Sequence, residues 1–217
     1  MRLFEFEESP HFRSPTDVAD YIQKHCSEFL YQRNSGWLYR GLDNFPPDIY
    51  IDNSPVNREP RDTDATISRI IDQKFVEVGF KALRSNSIFC YATRIEAAAY
   101  TTTNNVDDVH NIFPFNGFSF TWSSKIRDLT ISKGIGRGMV AAYKKSEKYG
   151  QKLGYNFDRL VEFLPTLDWP AKTFVEEFGY TNKNFGAAMQ SSNEIMIHGT
   201  CLGIKSEYFK ANIVGIL

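Results

Sequence analysis

Apolar positions alternate between two periods along the chain. Val18, Tyr21, Ile22, His25, Phe29 and Leu30 recur at helical spacing, so a helix is predicted from about 16 to 31. Ser14-Pro15-Thr16 starts it, with Pro15 suited to a first turn and Asp17 favourable to the helix dipole. Asn34-Ser35-Gly36 reads as a turn, and Trp37 to Leu42 as the first strong strand. Residues 43–66 carry proline and polar side chains and read as loop. Helical spacing resumes from Asp62 to Val78 and ends at Gly79. A second strand is predicted from Leu83 to Tyr91, followed by a short alanine-rich helix from Arg94 to Tyr100. After a polar loop at 101–111, Ile112 to Trp122 forms a third β region, with Gly117 as its bend.

The second half is less regular. Lys133-Gly134-Ile135-Gly136-Arg137-Gly138 reads as a glycine-rich loop, and 139–153 as a basic helix. No Gly-Lys-Ser/Thr follows the glycines, so this is not a phosphate-binding P-loop. Residues 157–179 look helical in two pieces around Leu164-Pro165 and Trp169-Pro170. A polar loop from Gly179 to Ser192 leads into Glu194 and the apolar run Ile195-Met196-Ile197. That run, with Cys201, Leu202 and Ile204, predicts a buried strand or hairpin broken at Gly199 and Gly203. Residues 1–14, acidic and aromatic, read as a short strand or arm.

Composition narrows the function. The 217 residues, 42% hydrophobic and 15% aromatic, suffice for one large domain. It is expected to comprise an N-terminal arm and helix (1–33) and a core (37–217). A net charge of −1 argues against a general nucleic-acid binder. Cys26, Cys90 and Cys201 sit among apolar neighbours and are expected to be buried free thiols in a reducing compartment. With no apolar leader and no membrane-spanning run, a cytoplasmic location is expected, in its own cell or a host's. The four histidines are too far apart for a metal motif, so no metal is expected.

Three stretches remain. Glu194 is a lone acid opening an apolar run, a costly placement unless the carboxylate is paired or working. Tyr39-Arg40-Gly41 and Ser85-Asn86-Ser87 each lie in a short apolar-aromatic segment. Taken in order, the three resemble the mono-ADP-ribosyltransferase superfamily, including its phage-borne members. That family has an aromatic-Arg-Gly strand, a Ser-Thr-Ser strand with a trailing short helix, and a late strand carrying a glutamate. The resemblance implies an α+β fold: two packed, mostly antiparallel sheets around a central NAD cleft, with flanking helices. It implies NAD as substrate and a protein or nucleic-acid acceptor. Arg40 and Gly41 would meet the NAD phosphates, with Arg84 as a second cation. Ser85 would orient the glutamate, and Ser87 would support the strand. Glu194 would stabilise the positive charge that develops on the ribose. Tyr100 or Trp122 would stack on nicotinamide. Members that modify arginine carry Glu two residues before the glutamate. Ser192 stands there instead, so an acceptor other than arginine is expected, with Phe185 as an exposed contact and Ser192 beside the reacting centre. The alternatives are NAD hydrolysis without an acceptor, and a non-catalytic binding or virion-associated protein that keeps the fold.

Overall fold

A computed structural model describes residues 10–33, 36–42, 47–60, 65–101, 103–127 and 170–217, and for residues 66 and 67 the backbone alone. Among the described residues the fold is mixed α+β, with two antiparallel four-stranded sheets. The first contains β1 (Leu38–Gly41), β2 (Ile49–Asn53), β4 (Val109–Pro114) and β8 (Thr200–Lys205), in the order β1-β4-β8-β2. The second contains β3 (Ile88–Cys90), β5 (Ser119–Ser123), β6 (Tyr180–Thr181) and β7 (Ile195–His198), in the order β3-β7-β5-β6. An isolated bridge joins β1 to the end of β3, with Tyr39 and Tyr91 exchanging both backbone hydrogen bonds at 2.8 Å.

The first helical pattern forms as two helices, α1 (Pro15–His25) and α2 (Ser27–Gln32). Ser14 caps α1 by accepting from the Asp17 N–H at 3.2 Å. The break falls at Cys26, whose non-helical backbone lets the buried thiol donate to the Phe113 carbonyl on β4. Phe29 then meets Phe113 and Phe185 edge-to-face in the main core. Helix α3 (Ala65–Glu77) packs on α5 (Ala171–Phe178) over a second apolar cluster that includes Phe75, Phe174 and Met196. Three short helices complete the described fold: α4 (Arg94–Ala98), α6 (Phe185–Ala188) and α7 (Ser206–Asn212).

Several expectations need correction. The stretch at 43–66 is not all loop, because Ile49–Asn53 pairs with β8. Three apolar residues between prolines are too short to show a strand period, and pairing supplies what local sequence does not. The region 101–111 already contains a 3-10 turn and the start of β4. The β region around Gly117 (φ +85°) is not one bent strand: β4 and β5 lie in different sheets. Likewise β7 and β8 are not a hairpin. The chain crosses between sheets at Gly199, whose φ of +131° favours glycine. Gly203 does not break β8 but lies inside it. Helix α7, which packs Phe209 against Trp37 and Phe113, was not foreseen. The glycine-rich stretch at 133–138, the basic helix at 139–153, the helical piece before Pro170 and most of the N-terminal arm lie outside the described residues.

Gly203 has a packing role. It pairs with Tyr50, and a Cβ built on it would stand 2.1 Å from the Tyr50 ring, which is fully buried. Gly203→Ala should therefore force the ring aside and destabilise the fold by about 1–3 kcal/mol. A lower urea midpoint at unchanged slope would show it; an unshifted midpoint would mean the ring moves freely. Among the described residues no helix is long and apolar enough to cross a membrane.

Candidate functional site

Glu194 immediately precedes β7, and it is 9% exposed. Its backbone N–H donates to the Arg127 carbonyl at 2.7 Å, which fixes the main chain at the strand entrance. Its Oε2 accepts from the Tyr91 hydroxyl at 3.3 Å, and its Oε1 lies 3.7 Å from Nη1 of Arg84, itself 8% exposed. Side chains alternate along a strand. Tyr91 therefore shares a face of β3 with Phe89, opposite to Cys90. The ladder pairs Cys90 with Ile195, so one step further brings Tyr91 level with Glu194. The Tyr100 ring stacks on Tyr91 at 5.0 Å and 15°. The result is a carboxylate set between a hydroxyl and a guanidinium, next to two parallel phenol rings.

The Arg84 segment departs from the expected strand. Residues Arg84–Asn86 form a 3-10 turn, and β3 begins only at Ile88. Ser85 is thus not a strand residue. The turn is held from every side. Asp72 on α3 accepts from the N–H groups of Arg84 (2.6 Å) and Ser85 (3.0 Å). The Ser85 carbonyl accepts from the Arg58 N–H at 2.6 Å. The Asn86 side chain accepts from the Leu83 N–H at 2.8 Å and from the Ser87 hydroxyl at 3.3 Å. His198 Nδ1 lies 2.9 Å from the Asn86 carbonyl and 3.1 Å from Ser54 Oγ. The imidazole thus sits between the Asn86 carbonyl and the Ser54 hydroxyl. Ser87 is fully buried and supports this turn.

Arg40 lies on the other face of β1 from Tyr39. Its guanidinium pairs with Asp52 at 2.7 Å, both half-buried between the sheets. Burial weakens its hold on a proton, but the nearby Tyr50, Asp52 and Cys90 outweigh this and raise its pKa. Burial is also the main cause that pushes the Cys90 thiol up to about 12; Arg40 opposes it, while Asp52 and Glu194 add to it. Arg40 and Glu194 are both near enough to act on Cys90, and each has its own ion-pair partner. All three cysteines are buried and free. Such raised thiols are poor nucleophiles at neutral pH. Gly41 has a structural cause. A Cβ there would stand 2.2 Å from the Ala97 carbonyl, so the bare Cα lets α4 close onto β1.

Two expected contacts are corrected. Phe185 is 3% exposed, because one turn of helix buries it against Phe29, Phe118 and Phe120; it is not a surface contact. Trp122 is buried in the main core, its indole N–H donating to the Lys183 carbonyl at 3.0 Å, and so offers no open ring face. Ser192 is exposed. The turn presenting it is pinned by Ser191 to the Ala188 carbonyl (2.8 Å) and by Asn193 to the Ser123 carbonyl (2.7 Å).

Sequence reasoning passed over Tyr91, Asp72 and Arg127. Tyr91 was legible only as the end of a strand. Asp72 carried a signal: it sits between the apolar positions Ile71 and Phe75, where an acid needs a partner. Among the described residues no three His, Cys, Asp or Glu side chains are grouped to hold a metal ion. Comparison with protein-family models, curated proteins and solved structures gave no match.

Proposed function

We propose that this chain is an NAD-dependent mono-ADP-ribosyltransferase. One observation carries the proposal: Glu194 is a buried carboxylate between Tyr91 and Arg84, beside the stacked Tyr91–Tyr100 pair. The order of the strands adds support. β1 bridges β3 and β3 pairs with β7, so the three motif-bearing segments are spatial neighbours.

In this reading nicotinamide lies against the exposed side of the tyrosine pair. The bond between the ribose C1′ and the nicotinamide nitrogen breaks, and neutral nicotinamide leaves with the bonding electrons. Positive charge develops on the ribose, and the fixed Glu194 anion stabilises it. An acceptor nucleophile then bonds to C1′ and gives up its proton. Arg84 takes the place next to the phosphates. Arg40, already paired with Asp52, buttresses the junction between the sheets. Of the two aromatics considered for nicotinamide, Tyr100 is the one beside Glu194.

The acceptor is not arginine. A guanidinium acceptor needs a second carboxylate close to Glu194, and the loop 181–193 contains no acid. A second reading, a binding protein without chemistry, draws on the ion pairs that Arg84 and Arg40 already make.

Incubation with NAD labelled in its ADP-ribose moiety, in a cell lysate, separates the readings. Label on a macromolecule is the expected result. Free ADP-ribose would mean hydrolysis, and unchanged NAD would leave the binding reading. Peptide mapping tests the acceptor: modification mainly on arginine would overturn that part alone.

A further inference from the structure

We infer that the Glu96–Arg127 ion pair is a clasp that holds Glu194 in place for the proposed chemistry, which makes both of them positioning residues. The inference rests on the NAD reading above and deepens it at the same site. Glu194 stands just outside its sheet. The ladders of β7 with β3 and with β5 both end at Ile195, so neither pairs the residue before it. The Glu194 N–H turns instead to the Arg127 carbonyl, at 2.7 Å. Whatever fixes Arg127 therefore fixes the main chain from which the carboxylate projects.

Arg127 follows the turn after β5. The residues just before it are pinned by the Ser123 hydroxyl oxygen, which accepts from the N–H groups of Lys125 (3.0 Å) and Ile126 (2.8 Å). Arg127 itself is anchored from the opposite direction, its Nη2 donating to Glu96 Oε1 at 2.7 Å. Glu96 is a well-held anchor. Thr93 caps α4 by accepting from the Glu96 N–H at 3.3 Å. Arg94 of the same helix reaches Glu207 at 2.6 Å and the Val106 carbonyl at 3.0 Å. The bare Cα of Gly41 seats the helix against β1. The ion pair thus ties a helix packed on the first sheet to the strand entrance of the second.

Exposure separates positioning from stability. The Arg127 side chain is 68% exposed, so the pair adds little to the stability of the fold. Its orienting effect is a different quantity, because a displacement of about 1 Å in a reacting group can cost about a hundredfold in rate. The Tyr91 hydroxyl and the Arg84 guanidinium meet the far end of the Glu194 side chain. The clasp sets the near end.

The test follows nicotinamide release from NAD by parent, Glu96→Gln, Arg127→Gln, the double variant and Arg127→Lys. Each single glutamine variant should lower kcat about tenfold, with KM and the thermal midpoint nearly unchanged. The double variant should be no slower than either single one, because both remove the same contact. Arg127→Lys keeps the charge and should recover part of the rate. Parent-like rates in both single variants would overturn the clasp and leave the NAD reading standing. A loss confined to KM, or losses that multiply in the double variant, would overturn it equally. Amide exchange followed by NMR reads the same contact without NAD. The Glu194 N–H should exchange faster in both single variants, with the Ile195, Met196 and Ile197 amides unchanged. If the parent releases no nicotinamide but this exchange is accelerated, the clasp stands and the NAD reading falls. Unaltered exchange at Glu194 overturns the clasp whatever the parent does with NAD.

Discussion

Replacing Glu194 by Gln should lower NAD turnover about 100- to 1000-fold, a loss of about 2.7–4 kcal/mol of transition-state stabilisation. Glutamine keeps the size and can still accept from the Tyr91 hydroxyl at 3.3 Å. What it removes is the charge facing the developing cation. NAD affinity should change less than turnover, because the charge that Glu194 is proposed to face develops on the ribose only as the bond breaks. The substitution also ends the Arg84–Glu194 ion pair at 3.7 Å, so a lower thermal midpoint should accompany the kinetic loss. Tyr91→Phe should fall between variant and parent, since it keeps the stacking on Tyr100 but removes one donor to the carboxylate. Single-turnover release of nicotinamide measures the effect directly. Equal turnover of Glu194→Gln and parent would remove the carboxylate from the chemistry.

The second large effect is on stability in acid. His110 is 3% exposed on β4, edge-on to the Tyr50 ring at 5.5 Å. Burial drives its pKa down to about 4, with Lys205 and Arg40 pushing the same way against the Asp108 backbone and Asp48. The unfolded chain protonates this imidazole near its ordinary value of about 6.5. Between those two values the unfolded state binds more protons than the folded state. Stability is therefore fully present above the unfolded pKa and falls as pH drops toward the folded one. About 2 kcal/mol should be lost between pH 7 and pH 5, before most carboxylates titrate. Urea unfolding at the two pH values measures it. His110→Gln cannot titrate and should flatten the difference; an unchanged pH slope would assign the effect to other groups.

How much of this was legible in the sequence depended on whether a residue acts within its own element. Arg40 and Gly41 on β1, and Glu194 at the entrance of β7, came from local patterns: a short apolar strand with one charge at its edge. The expectation of antiparallel sheets with flanking helices came from the family resemblance, not from those local patterns. Tyr91 was invisible because its role depends on the β1–β3 bridge and on the β3–β7 register, which no local pattern encodes. Ser85 was read onto a strand because Leu83 and Ile88 frame it with apolar residues. In the fold, Asp72 draws two successive N–H groups onto one carboxylate and winds the chain into a turn. Phe185 looked exposed because its loop is polar, but a single helical turn suffices to bury one aromatic ring.

The crossings at Gly117 and Gly199 have a consequence for how the chain reaches this structure. The strands of the first sheet come from 38–41, 49–53, 109–114 and 200–205, and those of the second from 88–90, 119–123, 180–181 and 195–198. The second sheet lies wholly within the span of the first, and β4 lies within the span of the second, so no contiguous fragment contains either sheet alone. Loops of many tens of residues must close before β1 meets β4 or β3 meets β7, and that entropy is spent before the pairing returns it. Folding should be slow for the chain's size. A nascent chain still lacking β7 and β8 would have both sheets incomplete, and the carboxylate of Glu194 would reach Arg84 and Tyr91 only when the segment from Glu194 onward docks.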